Sequence, residues 1–186
     1  MRTRDMITRL KDNYIKKAVP LMKEKFGFKN NLSVPRLEKV VVNTGFSPVI
    51  RDEKFQEEIA QDIATITGQK PSFRQAKKSI AGFKTREGMR VGLAVTLRGQ
   101  RMYDFLDRLI HIVLPRSRDF RGLDKKNIDQ NGNLNIGIKE QIIFPEISAE
   151  NARNIFGLEV SITTTTKDKK QGKELFRLLG FPIKTK

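Results

Sequence analysis

The sequence has no cysteine, no tryptophan and a single histidine among its 186 residues. Without cysteine the chain forms no disulfide and has no thiolate to serve as a nucleophile or a metal ligand. One histidine without a second histidine or a cysteine does not make the usual zinc site, so His111 is expected to be a partly buried helix residue. No metal or cofactor is expected.

Long apolar segments are also missing. The longest apolar runs contain only a few residues, so no segment is expected to span a bilayer. The first ten residues, MRTRDMITRL, are basic but lack the apolar stretch of a secretory signal, and Asp5 and Asp12 argue against an organellar transit peptide. This part of the chain is therefore expected to belong to the mature protein.

Acidic residues are too few to balance the basic ones: the chain has 21 Asp and Glu but 37 Lys and Arg, which gives a net charge of +16. Such self-repulsion favours a polyanionic partner. About half of the excess lies in residues 68–101, where Glu87 is the single acid. The cations of this segment are Lys70, Arg74, Lys77, Lys78, Lys84, Arg86, Arg90, Arg98 and Arg101. Scattered lysines usually make a solvated surface, but this concentration favours binding of nucleic acid.

Apolar residues recur at helical spacing in four segments. The first covers about residues 3–27, with a stripe formed by Ile7, Leu10, Tyr14, Val19, Met22 and Phe26. The second runs from Asp52 as N-cap to Gly68, and the third is expected to stop at Pro115. The last begins after Asp168 as a capping residue.

Strand patterns alternate with these helices. β-Branched or alternating runs occupy residues 37–43, 69–78, 89–99, 133–140 and 158–166. Asn131-Gly132 is the sequence of a tight hairpin turn. The irregular order of strands and helices predicts one domain over 1–186 with an α+β, two-layer fold, in which a mostly antiparallel sheet packs against helices.

A basic loop is predicted between two of these strands, at residues 77–89, KKSIAGFKTREGM. Cations mixed with Gly82, Gly88 and Phe83 suit a protruding, mobile loop that becomes ordered on a phosphate backbone and stacks a ring on a base. The residue pattern leaves two places open for Phe83, which either stacks on a base or packs in the core.

Partial matches to catalytic and ion-binding motifs have simpler explanations. Asp129, Asn131, Asn133 and Glu140 have part of a calcium-loop spacing, but Leu134 occupies the position that requires glycine and the flanks are strands. GFKTREG lacks the Gly-Lys-Ser/Thr ending of a nucleotide-binding loop. Ser79 and Ser148 have no accompanying base and orienting residue. The sequence therefore predicts a protein that is not an enzyme.

Residues 67–92, TGQKPSFRQAKKSIAGFKTREGMRVG, closely resemble the bacterial-type ribosomal protein L5 family of the large subunit. Further blocks resemble the family in the same order: LEKVVVNTG, VTLRGQRMYDFLDRL, FRGLDKKNIDQNGNLNIGIKEQIIFPEI and GLEVSITTTT. Before AKKS this chain departs from the family pattern, with Ser72, Phe73, Arg74 and Gln75 where apolar residues and a hydroxyl are usual. The resemblance covers essentially the whole chain.

The resemblance implies a structural protein of the central protuberance, in a bacterial or an organellar ribosome. The implied partners are 5S rRNA, 23S-type rRNA, peptidyl-site tRNA, neighbouring central-protuberance proteins and a protein of the small-subunit head. It implies 5S rRNA contacts for Asn43, Gln69 and Thr96, and Lys70 and Arg98 are predicted in the same interface. The predicted tRNA-contacting residues are Lys77, Lys78, Ser79, Ile80, Phe83, Lys84 and Arg86.

Two other functions compete with this one. A free regulator that binds nucleic acid would have the same charge, and charge alone does not distinguish rRNA from DNA or tRNA. An RNA-processing enzyme would need a paired-carboxylate metal site or a catalytic histidine, and the sequence has no persuasive cluster of this kind.

Overall fold

The computed structural model of the chain describes residues 9–46, 53–118, 120–148 and 154–184. Its strands are β1 (Leu37–Gly45), β2 (Ser72–Gln75), β3 (Arg90–Leu97), β4 (Leu134–Ile138) and β5 (Leu158–Thr164). They form one open, antiparallel sheet in the order β2-β3-β1-β5-β4, accompanied by helices. The predicted α+β class is confirmed.

The main helices of the described residues are α1 (9–26), α2 (Glu53–Thr67), α3 (99–116) and α4 (Lys169–Leu178). None of them is both long and apolar enough to cross a membrane. In α1 the predicted apolar stripe is confirmed at Leu10 and Met22, which are buried. The predicted residues 3–8, with Ile7, and the predicted cap Asp52 lie outside the described residues.

Glycines end the first two helices. Gly27 and Gly68 have φ values of 73° and 67°, a left-handed conformation that other residues adopt only with strain. Their N–H groups donate to the carbonyl oxygens of Lys23 and Ala64, four residues earlier, at 2.9 and 2.8 Å. The predicted stop of α2 at Gly68 is therefore confirmed.

Pro115 does not stop α3, so that prediction is wrong. The helix passes through a π-helical segment, Leu109–Val113, and continues over Leu114–Arg116. The Leu114 N–H donates to Leu109 O, five residues earlier, so the turn before the proline is wider than an α-turn. A widened turn accommodates a ring that has no N–H to offer. In α1, the π-helical segment Tyr14–Ala18 likewise provides a widened turn before Pro20.

The chain divides into two compact units. Unit one comprises the described parts of 1–40, 98–136 and 161–186. Its core includes Leu10, Ala18, Met22, Met102, Phe105, Leu106, Leu109, Leu175 and Phe176. Unit two comprises the described parts of 41–97 and 137–160. Its core includes Val42, Ile59, Ile63, Ile66, Leu93, Val95, Leu97, Phe144 and Phe156.

The predicted Asn-Gly turn precedes β4 in unit one. Gly132 has a φ of 75°, and residues 128 and 134 form an antiparallel bridge. The two carboxylate oxygens of Asp129 accept bonds from the backbone N–H and the side-chain amide of Asn133, both at 2.8 Å. Asp129 therefore closes the turn, and the simpler reading of this spacing as a hairpin turn is confirmed.

A backbone-to-backbone approach holds α4 against this turn, and we expect Gly172→Ala to destabilise the protein. A Cβ at Gly172 would lie 2.5 Å from the Cα and the carbonyl oxygen of Gly132. Alanine in a helix gains about 1 kcal/mol over glycine. Overpacking against backbone costs more, so a net loss of about 1–3 kcal/mol is expected.

Urea unfolding of the Gly172→Ala protein measures this loss. Gly137→Ala is the matched control, because a Cβ there meets no atom within 4 Å. A midpoint for Gly172→Ala at or above that of the unmodified protein would contradict the close approach.

Candidate nucleic-acid interface

In unit two, β2 and β3 present one solvent-facing side. The antiparallel register pairs Ser72 with Ala94 and Arg74 with Gly92, so these residues share one face. Thr96 follows Ala94 by two residues and lies on the same face. Ser72 and Arg74 are exposed and Thr96 is half-buried. Gly92 and Ala94 of the same face are buried, so the part that is open to a partner is formed by Ser72, Arg74 and Thr96.

The opposite face of these strands belongs to the core. Phe73 is paired with Leu93, and Leu93, Val95 and Leu97 are buried. Helix α2 packs against β3 and contributes the buried residues Ile59, Ile63 and Ile66. The polar side chains Ser72 and Arg74, which alternate with Phe73 along β2, are exposed instead.

Asn43, Gln69 and Thr96 are called the polar patch here. Gln69 Nε2 donates to the carbonyl oxygen of Thr96 at 3.2 Å, so the structure brings these two residues together. Asn43 is exposed on β1, the strand next to β3, between buried Val42 and Thr44. Within the described residues, the Asn43 amide and the Thr96 hydroxyl have no side-chain hydrogen bond. The patch therefore offers neutral donors and acceptors to a ligand.

Cations flank the polar patch. Lys70 follows Gln69 directly and is exposed, as is Arg74 on β2. Arg90 is used differently, because its guanidinium carbon lies 4.4 Å from the ring centroid of Phe73. Both Lys70 and Arg74 are without an ion-pair partner among the described residues, so they are available to an anionic ligand.

Arg98 belongs to unit one, where it precedes α3. Its guanidinium lies 3.5 Å from the Glu38 carboxylate, with 57% and 45% of the two side chains exposed. An ion pair this exposed is worth little and is screened by salt, so it does not bar Arg98 from a phosphate. The role of Arg98 in the interface stays a prediction.

The basic loop, residues 77–89, has a hydrogen-bonded framework of its own. Ile80 and Thr85 exchange backbone bonds at 3.1 and 3.2 Å, and the short 3₁₀ turn Ala81–Phe83 lies between them. Nearer the strands, the Ser79 hydroxyl accepts from the Glu87 N–H at 3.0 Å. These bonds begin and end within the loop. Ala76, just before it, closes the base of the loop by donating to Met89 O at 2.9 Å and accepting from the Gly88 N–H at 3.0 Å.

The outer surface of the basic loop is cationic and apolar. Phe83 is 66% exposed, so the alternative in which it packs in the core is wrong. Ile80 is 48% exposed. The exposed cations are Lys77, Lys78, Lys84 and Arg86, and none of them has an ion-pair partner among the described residues. The loop therefore presents exposed positive charges beside an exposed aromatic ring, a combination that suits binding of single-stranded nucleic acid.

From the sequence, Ser72 and Arg74 stand out as departures from a family pattern, and Arg74 as one cation of the basic segment, but neither is placed beside the polar patch. Their face is fixed by the β2–β3 register, which the sequence does not reveal. Next to the base of the basic loop, the ring centroids of Phe73 and Phe46 lie 6.4 Å apart, so the two aromatic side chains interact.

Comparisons with known proteins agree across the chain. Residues 30–86 match the family model for "Ribosomal protein L5", and residues 90–183 match the model for the C-terminus of the same ribosomal L5 family. A protein from Desulforapulum autotrophicum named "Large ribosomal subunit protein uL5" is 52% identical over 178 residues, which cover 96% of this chain and 99% of the relative. A protein of the same name from Rubrobacter xylanophilus is 50% identical over 178 residues, with the same coverage.

Carboxydothermus hydrogenoformans has a third protein of this name, 47% identical over 175 residues, which cover 94% of this chain and 98% of the relative. These matches extend over both units, and they include the polar patch and the basic loop. The chain therefore belongs to the uL5 family of large-subunit ribosomal proteins, whose members are structural rather than enzymatic.

Proposed function

We propose that this protein binds 5S rRNA and anchors it in the central protuberance of the large subunit, with the polar patch as the specific contact. The observation that carries the proposal is the polar face of unit two. Among the described residues, the exposed Asn43 amide and the half-buried Thr96 hydroxyl have no side-chain hydrogen bond there, and the exposed cations Lys70 and Arg74 beside them have no ion pair. Cations supply affinity for any RNA, whereas neutral hydrogen-bonding groups read shape and base edges.

The division of labour follows from the chemistry of the two kinds of group. Lys70 and Arg74 are exposed and attract phosphates at long range, an effect that salt screens. Asn43 and Thr96 have no charge and act only on contact, so their contribution depends on whether the RNA offers matching groups. Together they favour a defined RNA over an arbitrary polyanion.

The basic loop is proposed to reach peptidyl-site tRNA. Its exposed cations, Lys77, Lys78, Lys84 and Arg86, suit the phosphate backbone. Phe83 and Ile80 supply uncovered apolar surface next to them. The loop closes on itself through the Ile80–Thr85 bonds, so these side chains are presented together at the end of the β2–β3 pair.

The remaining partners are proposed from the family. As a ribosomal component this protein has rRNA and other ribosomal proteins as partners. We infer that these include 23S-type rRNA, neighbouring proteins of the central protuberance and a protein of the small-subunit head. A free regulator and an RNA-processing enzyme, the two alternatives from composition, are disfavoured by the family assignment.

Removing polar groups of the patch one at a time is expected to weaken 5S rRNA binding. Asn43→Ala, Gln69→Ala and Thr96→Val should each cost about 1–3 kcal/mol if the RNA group that they contact loses its partner. That range corresponds to about fivefold or more in Kd. The salt dependence should stay the same, because no charge is removed.

Filter binding with isolated 5S rRNA measures these losses, with circular dichroism to confirm that each variant is folded. Gln61→Ala is the matched control: it removes an exposed amide from α2, the helix on the other side of β3, and should bind as the unmodified protein does. Unchanged Kd values for all three folded variants would refute the role of the polar patch.

A further inference from the structure

A buried hydroxyl lies directly behind the polar patch, at the end of α2. Thr67 is the last residue of this helix and is only 4% exposed. Its Oγ1 donates to Ile63 O at 2.7 Å and accepts from the Gln69 N–H at a longer 3.4 Å. Gln69 O, at 3.1 Å from Oγ1, is a second acceptor for the single hydroxyl proton. The Thr67 side chain therefore joins the helix to a residue of the polar patch.

The residue between Thr67 and Gln69 has little stiffness of its own. Gly68 is exposed and has a φ of 67°, and a Cβ there would meet no atom within 4 Å. A glycine with this freedom does not by itself hold the residue that follows it in one position. The contacts of Thr67 Oγ1 reach across Gly68, so they restrain the backbone of Gln69 where the helix ends.

Strand β3 holds the side chain of Gln69. Its Nε2 donates to Thr96 O at 3.2 Å. Three residues further along the chain, the Ser72 hydroxyl donates to Ala94 O at 3.2 Å, and these two residues are paired in the β2–β3 register. Gln69 is thus attached to α2 through its backbone and to β3 through its amide.

The bond to Thr96 O uses one N–H of the Gln69 amide. Because a carbonyl oxygen only accepts, the amide nitrogen must face Thr96, and the amide oxygen is left for another partner. In the part of the chain that the structure describes, the amide oxygen and the second N–H have no hydrogen bond. The fixed side chain therefore offers an acceptor that suits a base amino group or a ribose 2′-hydroxyl.

We propose that Thr67 is a positioning residue, which holds Gln69 in the conformation in which its amide meets RNA. Thr67 is buried, so it acts through Gln69 rather than on the RNA directly. The proposal rests on the proposed function in one respect, the contact between Gln69 and 5S rRNA. An unrestrained glutamine loses backbone and side-chain freedom when it binds, and this loss of entropy lowers the affinity.

Thr67→Val removes the hydroxyl and keeps the branched shape of the side chain. We expect it to weaken 5S rRNA binding about fivefold, the effect of one hydrogen bond. Thr67→Ser keeps the hydroxyl and should bind as the unmodified protein does. Thr65→Val is the matched control, because Thr65 Oγ1 donates to Gln61 O at 3.0 Å in the same helix but has no link to Gln69. Its affinity should be unchanged.

Two further measurements separate positioning from a general loss of stability. In the Gln69→Ala background, Thr67→Val should cause no additional loss of affinity, because the group that it positions is gone. In NMR spectra of the free protein, the side-chain amide signal of Gln69, assigned with Gln69→Ala, should move in Thr67→Val. The signal should keep its position in Thr65→Val and in Thr67→Ser. Circular dichroism confirms that each variant is folded.

The outcomes distinguish this role from the proposed function. Weaker binding by Gln69→Ala with unchanged binding by folded Thr67→Val would overturn the positioning role and leave the proposed function standing. An additional loss from Thr67→Val in the Gln69→Ala background would also overturn it. Unchanged binding by Gln69→Ala would count against the proposed contact with 5S rRNA. The amide signal then decides on Thr67 alone: movement in Thr67→Val supports the restraint, and an unmoved signal overturns it.

Discussion

The affinity for isolated 5S rRNA is expected to fall about five hundredfold when salt rises from about 50 to about 200 mM. If about five phosphates are neutralised, counterion release gives a log-log slope of about −4.5, and a fourfold rise in salt then produces this loss. The exposed cations outside residues 80–86 that could supply these contacts are Lys70, Arg74, Lys77 and Lys78 of unit two and Arg98 of unit one.

Filter binding over a salt series measures the slope. Lys70→Gln with Arg74→Gln should make the slope shallower by about two, because two phosphate contacts are lost. Lys169→Gln with Lys170→Gln is the matched control, with the same loss of charge at exposed positions at the start of α4. A slope near zero for the unmodified protein would show that the charge does not serve 5S rRNA binding.

Replacing residues 80–86 by a Gly-Ser linker of equal length is expected to release peptidyl-site tRNA from assembled ribosomes at least about tenfold faster. The variant loses Phe83, Lys84 and Arg86, and one stacked base is worth about 1–3 kcal/mol. The fold should survive, because the β2–β3 pairs lie outside the replaced residues and the φ of 51° at Lys84 is easily adopted by glycine.

Two assays on this variant separate the RNAs. Filter binding should give a Kd for 5S rRNA close to that of the unmodified protein, and tRNA dissociation from purified ribosomes should accelerate. The double variant of Lys169 and Lys170, which loses two positive charges outside the loop, should behave as the unmodified protein in both assays. Loss of 5S rRNA binding with unchanged tRNA dissociation would show that the basic loop binds 5S rRNA and not tRNA.

Local signals predicted the elements of this fold well. Asp168 was expected to cap the last helix, and its carboxylate accepts from the Lys170 N–H at 2.8 Å. Alternation predicts a strand at 133–140, and its apolar residues Leu134, Ile136 and Ile138 are all buried. Caps, glycine stops and period-two alternation depend on neighbours in the sequence, which explains their success.

Features that depend on distant residues were not predictable. Gln141 is fully buried, where its amide donates to Asn154 O at 2.6 Å and accepts from the Phe156 N–H at 2.9 Å. A glutamine is normally expected to be exposed at the surface. The hydrogen-bond partners that allow Gln141 to be buried are brought to it only by folding. The error at Pro115 has a similar origin, since the π-helical segment before it is not visible as a spacing pattern.

The candidate interface was predicted in composition but not in arrangement. Charge density located the basic loop, and the family resemblance gave Asn43, Gln69 and Thr96 as contacts. Neither signal revealed that Gln69 is bonded to the backbone of Thr96.

The central claim is that neutral groups of the polar patch specify 5S rRNA while cations supply affinity. The most direct test is the salt series repeated on a variant that combines Asn43→Ala, Gln69→Ala and Thr96→Val. The account predicts a log-log line parallel to that of the unmodified protein and at least about tenfold weaker throughout. A line that coincides with that of the unmodified protein, or one of clearly shallower slope, would contradict it.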